Sequence, residues 1–264
     1  MAFVIDSLPL FALTLLLGGV LGAIGGLLGI GGGIIAIPVL AMFFGMEQQM
    51  AQGTALVMIT PNVLIAFWRY RQRSPFPLRT AGLVGLVTLL ATWPAARLAV
   101  HMDSRLLMVC FAFFLIALSC HFLWGTRLAA PDGAESPTKS RAPWDERYLP
   151  AVGIVGGLFA GLFSVGSGIV AAPILVRCFG KRQAVAQGIA LALVVPGALV
   201  ALATFAQAGQ VDWQIGALLA VGGMSTVSMG VAWAHRLPEA RLRRLFAVLL
   251  LLTAGLMIRQ GLGG

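Results

Sequence analysis

Hydrophobic positions in this chain fall in long unbroken runs, and polar positions fall between the runs. Strict apolar and polar alternation is absent, so the pattern fits neither a strand-rich fold nor a membrane β-barrel. Runs of about 20 apolar residues are long enough, as helices, to cross a hydrocarbon layer of roughly 30 Å. In the first half the pattern predicts a helix at 8 to 28, a short helix at 34 to 45, and fuller spans at 50 to 68, 78 to 98 and 105 to 125. In the second half it predicts helices at 149 to 165, 169 to 179, 184 to 207, 212 to 235 and 240 to 259. The short segments at 34 to 45 and 169 to 179 reach only about 17 Å at 1.5 Å per residue, too little to span.

Each short helix follows a glycine-rich stretch, GGLLGIGGGIIAIPVL at 25 to 40 and AGLFSVGSGIVAAPIL at 160 to 175. Glycine lets the backbone leave helical geometry and bring its N–H groups close to a ligand. The two stretches belong to a longer duplication. Adding 135 to a residue number from Gly18 to Ala66 gives its counterpart without a gap, and 22 of the 49 pairs are identical. The pairs include Gly18, Gly22 and Gly26 with Gly153, Gly157 and Gly161, Pro38 with Pro173, Gln52 with Gln187, and Pro61 with Pro196. Apolar helices resemble one another by composition, but glycines, prolines and glutamines held in register mark an internal repeat.

Composition agrees with membrane embedding: of 264 residues, 59% are hydrophobic and only 10% charged, with a mean hydropathy of +0.94. A formal charge of +9 raises a nucleic-acid reading, but the basic residues sit in short segments between apolar helices, so no nucleic-acid partner is expected. The opening MAFVIDSLPLF has no basic residue before its apolar run, so it reads as the first helix of the protein and not as a secretory signal. Residues 126 to 147 are mixed in charge and rich in Pro, Ala and Ser, which makes them a solvated linker between repeats at 1 to 125 and 148 to 264.

Charge then sets orientation. Loop 69 to 79 holds Arg69, Arg71, Arg73 and Arg79, and loop 177 to 182 holds Arg177, Lys181 and Arg182; the counterpart of each in the other repeat holds no basic residue. Placing these loops, the linker and loop 236 to 244 on the cytoplasmic side puts 15 basic residues inside and leaves Arg97, Arg105 and Arg259 outside. The chain is thus expected to be an all-α integral membrane protein, an inverted repeat of two five-element halves, each with a glycine-broken short helix. Both termini are expected outside.

In that arrangement the two breaks meet near the membrane midplane from opposite faces. A helix N-terminus offers unpaired N–H groups and a partial positive charge, so two of them make an anion site without lysine or arginine. Inverted-repeat transporters place their substrate at such broken helices. The candidate substrate-binding residues are Gly31, Gly32, Gly33, Gly166, Ser167 and Gly168 of the breaks, with Ser164, Gln52, Thr54 and Gln187. Ser164 and Ser167 stand where the first copy has Gly29 and Gly32, and add hydroxyl donors. Thr60 and Asn62 are weaker candidates, because the second copy has Val195 and Gly197 there. Pro38, Pro61, Pro173 and Pro196 are candidate hinges or kinks. The glycines at four-residue spacing read as helix-packing residues.

No Asp or Glu falls in the middle of a predicted span, so a carboxylate relay for ion coupling is missing, and either the substrate carries its own proton or transport is passive. Cys110, Cys120 and Cys178 lack metal or disulfide spacing and read as small buried apolar residues. His101, His121 and His235 read as interfacial or packing residues. No metal, cofactor or enzymatic constellation is expected.

The chain resembles the TauE/SafE family of sulfite exporters, through GLLGIGGGIIAIPVL and GLFSVGSGIVAAPIL, the AQGTAL and AQGIAL segments, and the RLRRLFAVLLLLTAG ending. The resemblance implies a multi-pass transporter of the bacterial cytoplasmic membrane that exports or exchanges sulfite, sulfonates or related small sulfur anions. The chain departs from an even repeat in reading GSG in the second motif where the first reads GGG. A passive anion channel and a non-transporting membrane subunit are the alternatives, and the oligomeric state is not specified by the sequence.

Overall fold

The computed structural model describes residues 8–28, 32–73, 78–127, 145–165, 168–180, 183–234, 247–255 and 257. The elements run α1 (Leu8–Leu28), α2 (Gly33–Phe44), α3 (Gln48–Arg73), α4 (Leu78–His101) and α5 (Ser104–Arg127). After a single 3-10 turn at Glu146–Tyr148 come α6 (Leu149–Phe163), α7 (Gly168–Arg177), α8 (Gln183–Gln207) and α9 (Trp213–Ala234). Residues 247–255 are also helical, and no strand occurs among the described residues. Most of the linker expected at 126 to 147 lies outside the described residues.

Among the described residues, five helical stretches are long and apolar enough to cross a membrane: Pro9–Leu27, Gln48–Gln72, Gly82–His101, Gly188–Gln207 and Trp213–Trp233. By contrast α2, with 12 residues, and α7, with 10, reach less than two thirds of the hydrocarbon thickness. Helix α6 has 15 residues and stops at Ser164, whose backbone is left-handed. The boundaries differ from the sequence pattern at the basic ends. Arg69, Arg71 and Arg73 were expected in a loop but continue α3 to its last turn. Arginine is a good helix former, and the chain meets no breaker until Pro75.

Two helix pairs hold the bundle together. Along α1, a Cβ on Gly18, Gly22 or Gly26 would strike the backbone of Leu219, Gly223 or Val227 in α9. Along α6, a Cβ on Gly153, Gly157 or Gly161 would strike the backbone of Val84, Thr88 or Thr92 in α4. The same 135-residue offset that relates the glycines relates their contact partners. Thr226 on α9 also donates to the Gly19 carbonyl at 2.5 Å. Lipid is as apolar as a leucine side chain, so helices in a bilayer associate through close van der Waals approach, which glycine permits.

Gly22→Leu and Gly157→Leu are therefore expected to destabilise the protein by about 2 to 3 kcal/mol, since the neighbouring backbone cannot yield as a side chain would. Gly82→Leu is the control, because a Cβ there meets nothing within 4 Å. Thermal unfolding in mild detergent checks this, with a lower Tm expected for the first two variants only.

The outer surface carries Leu83, Leu86, Leu90 and Phe113, all exposed. This apolar exterior corrects the expectation for the cysteines. Cys120 is exposed on α5, and Cys110 and Cys178 are half-buried. In a helix surrounded by lipid an apolar residue need not face the core, so hydrophobicity does not separate inside from outside.

Candidate functional site

Helix α2 begins where the chain turns back on α1. Gly32 has φ +84, a left-handed conformation that side chains rarely adopt, and a Cβ there would lie 2.6 Å from the Leu21 carbonyl oxygen, two turns before α1 ends. The Gly32 carbonyl accepts from the N–H groups of Ile35 at 3.3 Å and Ala36 at 3.1 Å. No side chain caps this end, so the N–H groups of Gly33 and Ile34 have no intrahelical acceptor. They lie in a fully buried setting, where the positive end of a helix is poorly screened.

Ser164 is the counterpart turn at the end of α6, with φ +53 and 2% exposure. A Cβ on Gly33 would stand 3.4 Å from the Ser164 carbonyl oxygen. The two turns therefore touch, although they are more than 130 positions apart in the sequence. The start of α2 and the end of α6 lie side by side at this contact. Behind Ser164, Phe163 packs against Phe111 and Phe114 of α5 at ring-centroid distances of 5.6 and 5.1 Å, and Phe114 stacks on Phe159 at 4.8 Å. The four rings fix the turn in place.

Helix α3 forms the wall beside the turns. Met58 touches the Gly32 position at 3.4 Å, and Ile59 packs on Gly33. Asn62 follows these residues by four and three positions, so it shares their face. It is fully buried against Gly223 of α9, and neither atom of its amide has a hydrogen-bond partner. Gln52, nearly three turns earlier, is likewise fully buried with both amide atoms unpaired, and the Ser164 hydroxyl is unpaired too. Each such group costs about 1–3 kcal/mol when nothing takes the place of water.

The buried threonines behave differently. Thr14, Thr60, Thr88, Thr92, Thr204 and Thr253 all donate to the carbonyl four residues earlier, at 2.7 to 2.8 Å. Thr54 accepts from the Asp212 N–H at 3.0 Å, tying α3 to the start of α9. Hydroxyls on a helix can satisfy themselves on the preceding turn, whereas the terminal amides here are left to meet something else.

Of the sequence-derived candidates, Gly32, Gly33 and Ser164 come together, Gln52 lies on the same wall, and Thr54 is engaged with Asp212. Gly168 is the first residue of α7. Gly31, Gly166, Ser167 and the side chain of Gln187 lie outside the described residues. Asn62 is placed more centrally than its lack of a repeat partner indicated. Pro38, Pro61 and Pro196 sit inside α2, α3 and α8, where each removes one backbone hydrogen bond, and Pro173 falls within α7.

Arg97 and Arg105, expected at the outer rim, flank the α4–α5 turn and are exposed, with Arg97 lying 4.7 Å over the Trp93 ring. Among the described residues, the buried polar side chains are Thr, Ser, Gln and Asn, with no carboxylate, amine, guanidinium or imidazole among them.

Membrane-length helices around a buried, uncharged polar centre define a polytopic membrane transport protein. The chain matches the sulfite exporter TauE/SafE family over residues 14–257 and belongs to that family. It is 27% identical to a probable membrane transporter protein of Xylella fastidiosa strain 9a5c over 242 residues, covering 90% of each chain. It is 25% identical to a probable membrane transporter protein of Methanocaldococcus jannaschii over 190 residues, covering 69% of this chain and 67% of that protein. No solved structure matches the chain.

Proposed function

We propose that this protein moves a small sulfur-containing oxyanion, such as sulfite or a sulfonate, across the bacterial cytoplasmic membrane by alternating access. The two inverted five-element halves rock around the glycine-rich breaks, and both termini lie outside. The observation that carries this reading is the buried approach of the uncapped start of α2 at Gly33 to the left-handed turn at Ser164, so close that a Cβ added at Gly33 would stand 3.4 Å from the Ser164 carbonyl oxygen. Backbone donors suit the spread charge of an oxyanion, and their neutrality lets it leave again. Gly31, Gly32, Gly33, Gly166, Ser167 and Gly168 surround the ion, with Ser164, Gln52, Gln187 and Asn62 supplying side-chain groups and Thr54 at the edge. Pro38, Pro61, Pro173 and Pro196 flex as the halves move.

Proteoliposomes assayed with sulfite, sulfoacetate, taurine and chloride test the proposal. Saturable flux of at least one sulfur oxyanion, exceeding that of chloride, is the expected result. No protein-dependent flux of any sulfur oxyanion removes the substrate assignment. The lack of a buried carboxylate among the described residues favours one competing reading, a passive channel, which unitary currents in place of saturable exchange would establish.

A further inference from the structure

The unpaired polar groups of helix α3 do not stop at the glycine turn but continue to Gln48 at the start of the helix. Gln48, Gln52, Ala55, Ile59 and Asn62 recur at spacings of four, three, four and three, and so line one face over four turns. Gln48 is 3% exposed and Gln52, Ala55, Ile59 and Asn62 are 0% exposed. All six amide atoms of Gln48, Gln52 and Asn62 are without a hydrogen-bond partner. The outer end of the face lies by the α4–α5 turn, where the Gln48 N–H donates to Ser104 Oγ at 3.1 Å and Gln49 Nε2 donates to the Met102 carbonyl at 2.8 Å. The inner end reaches the site, because Ile59 packs on Gly33.

We propose that this face of α3 is the path by which a hydrated polar solute reaches the glycine turn from the α4–α5 side, with Ile59 closing it in the conformation described here. The amides of Gln48 and Gln52 replace water around the moving solute, Ala55 leaves room between them and the gate, and Asn62 receives the solute at the turn. Ile59 is the one bulky apolar side chain in the series. Helix packing alone does not account for the series, since a helix seam favours small or apolar residues and satisfied hydroxyls, which is what the α1–α9 and α4–α6 seams contain. The proposal rests on the transport reading but not on the identity of the solute.

Cysteine accessibility tests it. Gln52→Cys, Ala55→Cys and, as the control, Thr60→Cys are placed one at a time in the full chain carrying Cys110→Ser, Cys120→Ser and Cys178→Ser. Thr60 is as deep as Ile59 and 8% exposed, but lies on another side of α3 and bonds the Leu56 carbonyl. Membrane fragments open on both faces are treated with a charged, membrane-impermeant methanethiosulfonate. The thiols at 52 and 55 are expected to react about tenfold faster or more than the thiol at 60, because only a thiol that water reaches ionises and reacts. Adding Ile59→Ala is expected to speed labelling of Asn62→Cys by a similar factor.

Labelling at 52 and 55 no faster than at 60 overturns the path, and unchanged labelling at 62 overturns the gate. Ala55→Cys adds one sulfur atom, so loss of folding at Gln52→Cys leaves the test intact. If labelling follows the face while no sulfur anion is transported, the path stands and the substrate assignment falls. If sulfur anions are transported while the face stays unlabelled, the path falls alone.

Discussion

Gly33→Val is expected to abolish transport while the protein still inserts in the membrane and elutes as a single folded species in detergent. The reason is local. A Cβ at Gly33 already meets the end of the Ile59 side chain and stands 3.4 Å from the Ser164 carbonyl oxygen. The tip of Ile59 can turn aside, but the Ser164 backbone is held by four phenylalanine rings and cannot. A branched side chain therefore drives the two turns apart by something like an ångström, and a displacement of that size in groups that must converge on one ligand costs about a hundredfold in rate. Gly33→Ala, with less bulk to place, is expected to lose only part of the flux. Proteoliposome flux against detergent elution profile separates the two effects, and unaltered flux in the valine variant would place the transported ion elsewhere.

Ser164→Gly is expected to weaken substrate binding by about tenfold while leaving stability unchanged or raising it by about 1 kcal/mol, because the hydroxyl it removes is buried and unpaired. Its backbone, at φ +53, disfavours a side chain by roughly 1–2 kcal/mol, and glycine removes that strain as well. A purely structural serine gives the opposite pattern, a lower Tm with unchanged apparent KM. Measuring KM for flux and Tm on the same preparation therefore decides between a ligand-facing hydroxyl and a packing residue.

Much of the fold was legible because a bilayer restricts the options. Backbone groups have no water to bond, so an apolar run of about 20 residues becomes a helix whatever its neighbours are. The limits of α1, α2 and α8 follow the apolar runs to within a residue or so. The basic ends were less legible, since helical hydrogen bonding continues past the last apolar residue, as Arg69 to Arg73 show. The glycines at four-residue spacing were readable as packing residues, but not their partners. Nothing in the spacing of Gly18, Gly22 and Gly26 says that α9, more than 190 residues along the chain, lies against them.

The candidate site divides in the same way. By itself the sequence determined where the apolar helices run, which residues are polar inside them, and that the glycine motif occurs twice, because these depend on local backbone preference and on hydration. Tertiary structure decided which of the polar residues have work left to do. Thr54 and Asn62 look alike as isolated polar positions on α3, yet one is engaged by the Asp212 N–H and the other is sealed against Gly223 with its amide unpaired. Hydrogen-bond satisfaction is a property of the assembled packing, so only the crossing of α3 with α9, and of the Gly33 turn with Ser164, could separate them.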